Sequence, residues 1–460
     1  MKFSVLRFVS SHRNRLIFYL LAGLVGGMSW VRGAEEEPSG SFPTLRLTQT
    51  QISHGDFHHL FGYIGQSLTI PWNVADRYVV ALRTDFHDRL PAAGDAADVV
   101  LIDTHNENKV AVLDRTFGWN LQQGSMLYWN PEQPETQFFF NDRDPQDGRV
   151  FTVLYDIAAR RRVREYRYAD HSMGNSGVSP VGGEFAAINY GRMARLRPVT
   201  GYAGALDETE GIDAPGDDGI FLINIRRGDE RLLLSFARMA AMLATVTDWE
   251  IFNKRWTPVE MAKDPSAKPD TSEAKLYINH TLFNRTGDRL YFFVRGRREK
   301  QSIWLNVPCS IKTDGTEFVV HRTSVGGHPE WGIGDTIIGA HDGRQVVYDV
   351  VKQQLRPEST LGTPEVFPVP EGDVSLSPDG EWFVNGYASE DRQTITYVVM
   401  RLADGAFARS EPFDRGPYTK GNLRTDPAPR WNRASDSILV PGWTDDGTRQ
   451  LFVLKIDHLR

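Results

Sequence analysis

Residues able to carry out acid–base chemistry or bind anions occur in four clusters along the chain. The four clusters are His58-His59; Gln122-Gln123 followed by Asn141 and Arg143; Tyr190, Arg192, Arg195, Arg197 and Tyr202; and Asn279-His280 with His328 and Asp373. Histidine and tyrosine exchange protons, arginine binds anions, and amides can donate or accept hydrogen bonds. These clusters form one site only if the fold brings them together.

Repeated hairpins in the sequence indicate a fold that would bring the four clusters together. One hairpin pattern recurs seven times. It consists of an aromatic or aliphatic residue, usually followed by Ser or Asn, then a polar turn and an apolar strand. The copies begin at Trp72, Trp129, Val178, Phe283, Trp331, Leu376 and Trp431. The spacing is roughly 45 to 57 residues, with one gap of about 105, which is typical of propeller blades. We therefore predict an all-β, seven-bladed β-propeller over residues 44–460.

Two further features of this propeller can be predicted. The last repeat has only three strands, so residues 44–52 should supply its outer strand by pairing with residues 450–456 and so close the ring. Residues 237–274 fall within the long gap between repeats, and their first part has helical composition. We interpret them as an insertion on one face, which either shapes a groove or caps a blade.

The N-terminus and the composition limit the location and the partners. Basic residues, a short apolar run and small residues predict a signal peptide over residues 1–34, then a linker over 35–43. We expect a periplasmic or secreted monomer in a bacterium, with no stable membrane span after cleavage. The net charge of −7 argues against nucleic-acid binding. The sequence lacks a serine nucleophile elbow, a phosphate loop, a dinucleotide fingerprint and a zincin helix.

The chain from about His58 to Arg460 resembles the oligogalacturonate-lyase-like propellers, and more distantly the ulvan lyases and the propeller of TolB. The matching strings are His-His-Leu-Phe-Gly-Tyr from His58, Trp-Asn-Leu-Gln-Gln-Gly from Trp119, Asn-Asp-Arg-Asp from Asn141, Asn-Tyr-Gly-Arg from Asn189, Arg-Leu-Arg-Pro-Val-Thr-Gly-Tyr from Arg195, Asn-His-Thr-Leu-Phe-Asn from Asn279 and Leu-Ser-Pro-Asp-Gly from Leu376. The resemblance implies a lyase that cleaves a uronate-containing poly- or oligosaccharide by β-elimination. The alternative is a non-catalytic, TolB-like envelope propeller that binds a glycan or a protein.

Cleavage of a uronate requires a base near C5, neutralisation of the carboxylate and a proton for the leaving oxygen. For the base or acid the sequence favours Tyr190, because the neighbouring Arg192 and Arg197 should lower its pKa from the usual value of about 10. Salt bridging is the alternative role for these arginines. His59 is the second candidate, either as a proton carrier in the channel or as a histidine packed beneath the closing strand.

Amides and a further arginine complete the predicted substrate site. We expect Gln123, Asn141 and Arg143 to hold the carboxylate, with Gln122 and Tyr202 beside them. An acidic glycan is the expected substrate.

The family resemblance also implies a divalent metal held by histidines from several blades. Two family histidines are replaced here, since Asp373 follows Gly372 and Ala428 precedes Pro429. His280, His328 and Asp373 remain as a predicted ligand set for Mn²⁺ or Zn²⁺. The alternative is that both histidines only form hydrogen bonds within the channel.

Overall fold

The computed structural model describes residues 45–62, 68–246, 275–298, 303–356 and 361–458. The predicted signal peptide, the linker and most of the predicted insertion lie outside these ranges. Within them the fold is an all-β propeller with two short helices, α1 (Tyr190–Leu196) and α2 (Phe236–Ala244). Helix α2 covers the first residues of the predicted insertion, and neither helix is long and apolar enough to cross a membrane.

Most strands belong to four-stranded antiparallel sheets. The first three of these sheets are β2 (His58–Leu60), β3 (Tyr78–Thr84), β4 (Ala97–Asp103) and β5 (Lys109–Thr116); β6 (Tyr128–Trp129), β7 (Gln137–Arg143), β8 (Val150–Asp156) and β9 (Arg161–Tyr166); and β10 (Gly174–Val178), β11 (Glu184–Ile188), β12 (Gly219–Asn224) and β13 (Glu230–Ser235). The fourth is β14 (Lys275–Phe283), β15 (Arg289–Arg298), β16 (Ile303–Lys312) and β17 (Val319–Val320).

A larger sheet follows in the chain. Its strands are β18 (Gly326–Trp331), β19 (Thr336–His341), β20 (Arg344–Asp349), β21 (Gln354–Leu355), β22 (Asp373–Leu376), β23 (Trp382–Ala388), β24 (Thr394–Arg401), β25 (Phe407–Arg409) and β26 (Phe413–Asp414). The last sheet consists of β27 (Arg430–Trp431), β28 (Ser437–Trp443), β29 (Arg449–His458) and β1 (Leu45–Gln51).

The repeated sequence motif holds the hairpins and the neighbouring sheets together. Asn73, Asn284 and Asn432 each accept two backbone N–H bonds through their side-chain oxygen, which fixes the turn that follows. Trp129 and Trp331 donate their indole N–H to carbonyl oxygens of the preceding repeat, at Pro71 and Leu282. The aromatic residue and the asparagine of the repeat therefore have distinct structural tasks.

The prediction of seven separate blades is wrong. Within the described residues, five four-stranded sheets are separate blades, and strands β18 to β26 form one nine-stranded sheet. Two antiparallel meanders merge in this sheet because their inner strands, β18 and β22, pair in parallel at His328 and Asp373.

The predicted ring closure is confirmed. Strand β1 pairs antiparallel with β29 from Leu45 opposite His458 to Gln51 opposite Phe452. The pairing continues at Ile52, whose N–H donates to the carbonyl of Leu451 at 2.9 Å. The N-terminal strand thus covers the edge that β29 would otherwise expose.

Candidate active site

Two adjoining pockets share five charged or ionisable residues, and we call them together the channel-mouth pocket. The larger has a volume of about 240 Å³. The shared residues are Arg197, His280, Arg295, His328 and Arg424. They come from strands and connections of several repeats, so the pocket forms where these repeats approach one another.

Local backbone irregularities place the two histidines. His280 lies in β14 with a φ of +61°, where the register with β15 shifts between Asn279 and Leu282. His328 lies in β18, which has a comparable shift between Gly326 and Glu330. A bulge redirects a side chain that regular alternation would place elsewhere. The imidazole centroids are 6.0 Å apart.

His328 is held by Asp373, the first residue of β22. One Asp373 oxygen binds Nδ1 of His328, and the other accepts the N–H of Ala428 at 2.8 Å. Burial alone would lower the pKa of His328, but the charge of Asp373 and its hydrogen bond outweigh burial and raise that pKa above the usual value. His328 therefore favours the protonated form.

The surroundings of His280 shift its pKa in the opposite direction. Burial, followed by the charges of Arg295, His328 and Arg197, holds the pKa of His280 well below its usual value. Its imidazole is therefore neutral at physiological pH. Two titratable groups whose environments separate their pKa values are suited to opposite roles in one proton-transfer reaction.

The three arginines of the channel-mouth pocket are poised for an anion. Arg424 forms an ion pair with Asp426 at 2.7 Å. Among the described residues, no carboxylate lies within ion-pair distance of Arg197 or Arg295, and Nε of Arg197 is buried without a hydrogen-bond partner. Burial and the charge of Arg197 lower the pKa of Arg295 to about 10. Unbalanced positive charge in a partly buried site favours binding of a negative ligand.

The predicted substrate residues Gln122 and Gln123 do line this pocket. Their backbone N–H groups both donate to the side-chain oxygen of Asn120, at 3.0 and 2.7 Å, which fixes the loop. Gln123 donates to Asn279 at 3.1 Å, and the buried amide nitrogen of Gln122 has no partner in the described part of the chain. A donor of this kind is available for a ligand oxygen.

Tyr190 and Tyr202 lie in the core and do not line the channel-mouth pocket. Their rings stack with centroids 4.1 Å apart. The Tyr190 hydroxyl donates to the carbonyl of Asn175 at 2.9 Å, and the amide of Asn141 donates to the Tyr202 hydroxyl at 2.9 Å. The expected lowering of the Tyr190 pKa is wrong, because burial raises it well above 10. Tyr190, Tyr202 and Asn141 therefore form a structural network.

Arg192 and Arg143 are also used structurally. Arg192 is fully buried, and its guanidinium donates to carbonyls that include those of Leu276 and Ile212. Arg143 is buried and donates to the carbonyls of Asp144 and Ala93. Neither arginine lines the channel-mouth pocket, so the structure separates them from the predicted substrate site. Of Arg143, Arg192 and Arg197, only Arg197 lines the pocket.

His59 lies in β2, and its side chain is buried against β29, the strand with which the closing strand β1 pairs. Its Nδ1 lies 2.9 Å from the side-chain oxygen of Gln450 on β29, and that oxygen also accepts the hydroxyl of Ser53 at 2.6 Å. Burial lowers the pKa of His59 to about 4. The side chain is 2% exposed and lines neither part of the channel-mouth pocket.

Sequence reasoning missed Arg295, Arg424 and Asp426. Arg295 follows the apolar run Leu290–Val294 in β15, where a charged residue also fits the solvated end of a strand. Arg424 and Asp426 lie in the irregular segment before β27, which carries no periodic pattern. The one available indication was an arginine directly after an apolar run in the strand that pairs with the strand of His280.

Comparison with known proteins bears on the fold. No family model and no curated protein sequence matches the chain. The crystal structure of an oligogalacturonate lyase from Vibrio parahaemolyticus is similar, with a TM-score of 0.54, 10% identity and coverage of 90% of this chain and 96% of that one. The chain has the fold of this oligogalacturonate lyase. TolB from Acinetobacter baumannii also matches, with a TM-score of 0.36, 11% identity and coverage of 85% and 88%.

The predicted resemblance to oligogalacturonate-lyase-like propellers is thus confirmed for the fold. The predicted metal set fits less well. Both Asp373 oxygens are engaged, by His328 and by Ala428. Within the described ranges, no group of three or more His, Cys, Asp or Glu side chains is arranged to hold a metal ion. Asp373 therefore positions His328, and we derive no step through a metal.

Proposed function

We propose that the channel-mouth pocket is the active site of a lyase that cleaves a uronate-containing poly- or oligosaccharide by β-elimination. The observation that carries this proposal is the pair of histidines with opposite pKa shifts beside three arginines. A simple anion-binding site requires the arginines but has no need of one neutral and one protonated imidazole. The pair therefore favours catalysis over a non-catalytic scaffold.

The arginines would bind and polarise the uronate carboxylate. Positive charge beside this group stabilises the negative charge that develops when the C5 proton leaves. Arg197 and Arg295 suit this role, since neither has a carboxylate partner among the described residues. Asp426 holds Arg424 at the same pocket. The amides of Gln122 and Gln123 would bind further oxygens of the saccharide.

The histidines would move the two protons. Neutral His280 accepts the C5 proton, and the electron pair of that C–H bond becomes the C4=C5 double bond. The C4–O bond breaks, and protonated His328 donates its proton to the leaving oxygen. Asp373 holds the His328 ring and favours its protonated form. His328 must be in this form to donate the proton.

The test is incubation of the purified protein with a panel of uronate glycans, followed by ultraviolet absorbance of the unsaturated product. The proposal predicts absorbance that grows in time with at least one acidic glycan and with no neutral one. Binding of an acidic glycan without any increase in absorbance would contradict the lyase proposal and favour the glycan-binding alternative.

A further inference from the structure

A second cavity lies at the other end of the inner strands. It has a volume of about 260 Å³ and is lined by Leu68, Ile70, Trp129, Pro131, Pro180, Pro378 and Arg433. Pro378 follows the end of β22 and Arg433 follows the end of β27, whereas Asp373, which holds His328, begins β22. This cavity, which we call the turn-side pocket, is thus separate from the channel-mouth pocket.

Arg433 brings an unbalanced charge to the turn-side pocket. In the described part of the chain, no side chain forms an ion pair with its guanidinium, and Nε is buried without a hydrogen-bond partner. The carboxylate of Asp76 is nearby, but its oxygens accept the side-chain amide of Asn432 at 3.3 Å and the backbone N–H of Arg433 at 3.4 Å. A buried guanidinium N–H without an acceptor is unfavourable. An anion in the pocket would supply that acceptor.

The rest of the lining favours a largely apolar ligand over a sugar. Three proline rings and Trp129 form rigid apolar walls, and the indole N–H of Trp129 already donates to Pro71 at 2.7 Å. A sugar buried here would lose the hydration of several hydroxyl groups and gain one donor side chain. A ligand with an apolar body and a single negative charge matches the lining better, because the apolar part of the ligand needs no hydrogen bonds.

We propose that the turn-side pocket binds a small apolar carboxylate, with the carboxylate on Arg433 and the apolar body against Trp129 and the proline rings. This site is additional to the proposed lyase site. The two share no lining residue. Either proposal can therefore fail without the other.

The experiment is isothermal titration calorimetry with 3-phenylpropionate as the probe and 3-phenylpropanol as its uncharged counterpart. We expect one site for 3-phenylpropionate and at least tenfold weaker binding of the alcohol. Arg433→Gln should weaken the carboxylate at least tenfold, while Arg433→Lys should retain most of the affinity. Arg344→Gln, which removes an exposed arginine from β20, is the matched control and should leave binding unchanged.

Three results would overturn the proposal. They are no measurable binding of 3-phenylpropionate to the wild type, equal affinity in Arg433→Gln, and displacement of the probe by glucuronate. Thermal unfolding of each variant confirms that it is folded, so a loss of binding can be assigned to the pocket.

Discussion

At the scale of single residues, the chemistry depends on how the surroundings of His280 and His328 differ. The proposed reaction requires neutral His280, which exists above its lowered pKa, and protonated His328, which exists below its raised pKa. Activity should therefore extend across neutral pH, with an alkaline limb that reports loss of the His328 proton.

Asp373→Asn tests this assignment. The substitution removes the charge that raises the His328 pKa and leaves the effect of burial, which lowers it. The alkaline limb of kcat/KM against pH should move to lower pH. The control is Asp342→Asn, which removes an exposed carboxylate beside His341 and should leave the profile unchanged. An alkaline limb that stays in place in Asp373→Asn would show that another group sets it.

Tyr190→Phe separates the structural role of this tyrosine from a catalytic one. The variant keeps the stacked ring and loses the bond to the carbonyl of Asn175, which still accepts the amide of Asn141. We expect nearly full activity and a loss of about 1 kcal/mol in the free energy of unfolding, measured by denaturant titration. If Tyr190→Phe abolished turnover and left stability unchanged, Tyr190 would have a catalytic role.

At the scale of structural elements, the segment before β27 positions Arg424. The indole N–H of Trp443 donates to the hydroxyl of Thr425 at 2.9 Å, and His87 Nε2 lies 2.9 Å from the carbonyl of Leu423. Arg415 donates to the carbonyl of Thr425 at 2.9 Å. These buried bonds hold the residues on both sides of Arg424, so they should determine how well it binds an anion.

Trp443→Phe removes one of these bonds and keeps an aromatic ring in place. Because Arg424 is argued to bind substrate and takes no part in proton transfer, KM should rise several-fold with little change in kcat. Steady-state kinetics on the cleaved glycan measure both constants. A fall in kcat with unchanged KM would contradict the positioning role.

Deletion of Leu45–Gln51 tests the closing strand. It removes seven residues paired with β29 and exposes a sheet edge. At about 0.5–1.5 kcal/mol per hydrogen bond, the loss should be on the order of several kcal/mol and should lower the Tm. Deletion of residues 35–41, which precede the strand, is the control. Equal Tm values for the two deletions would show that closure contributes little.

The sequence alone allows an element to be predicted where the same residue type has the same local role in several repeats. An Asn or Ser in most hairpins and a Trp bonded to the previous repeat in several of them recur along the chain, and so the propeller and its closing strand could be predicted. The merger of two meanders could not, because it depends on one contact between His328 and Asp373, which are distant in sequence.

At the scale of the whole molecule, the arginines of one sequence cluster divide between the core and the channel. Arg197 reaches the channel-mouth pocket, whereas Arg192, five residues earlier, is buried among carbonyl groups. Residue type and spacing predicted that arginines would gather in this region. They could not predict which arginine faces the channel, because Arg192 lies within helix α1 whereas Arg197 is the first residue beyond its end.

The central claim is that His280 is the base of an elimination reaction, and His280→Asn tests it most directly. Asparagine tolerates the positive φ of this position and cannot accept the proton. Initial rates of absorbance increase on a cleaved uronate glycan should fall by a factor of about 10² to 10⁴, with unchanged Tm. His105→Asn, an exposed histidine, should retain the wild-type rate. A wild-type rate in folded His280→Asn would contradict the account.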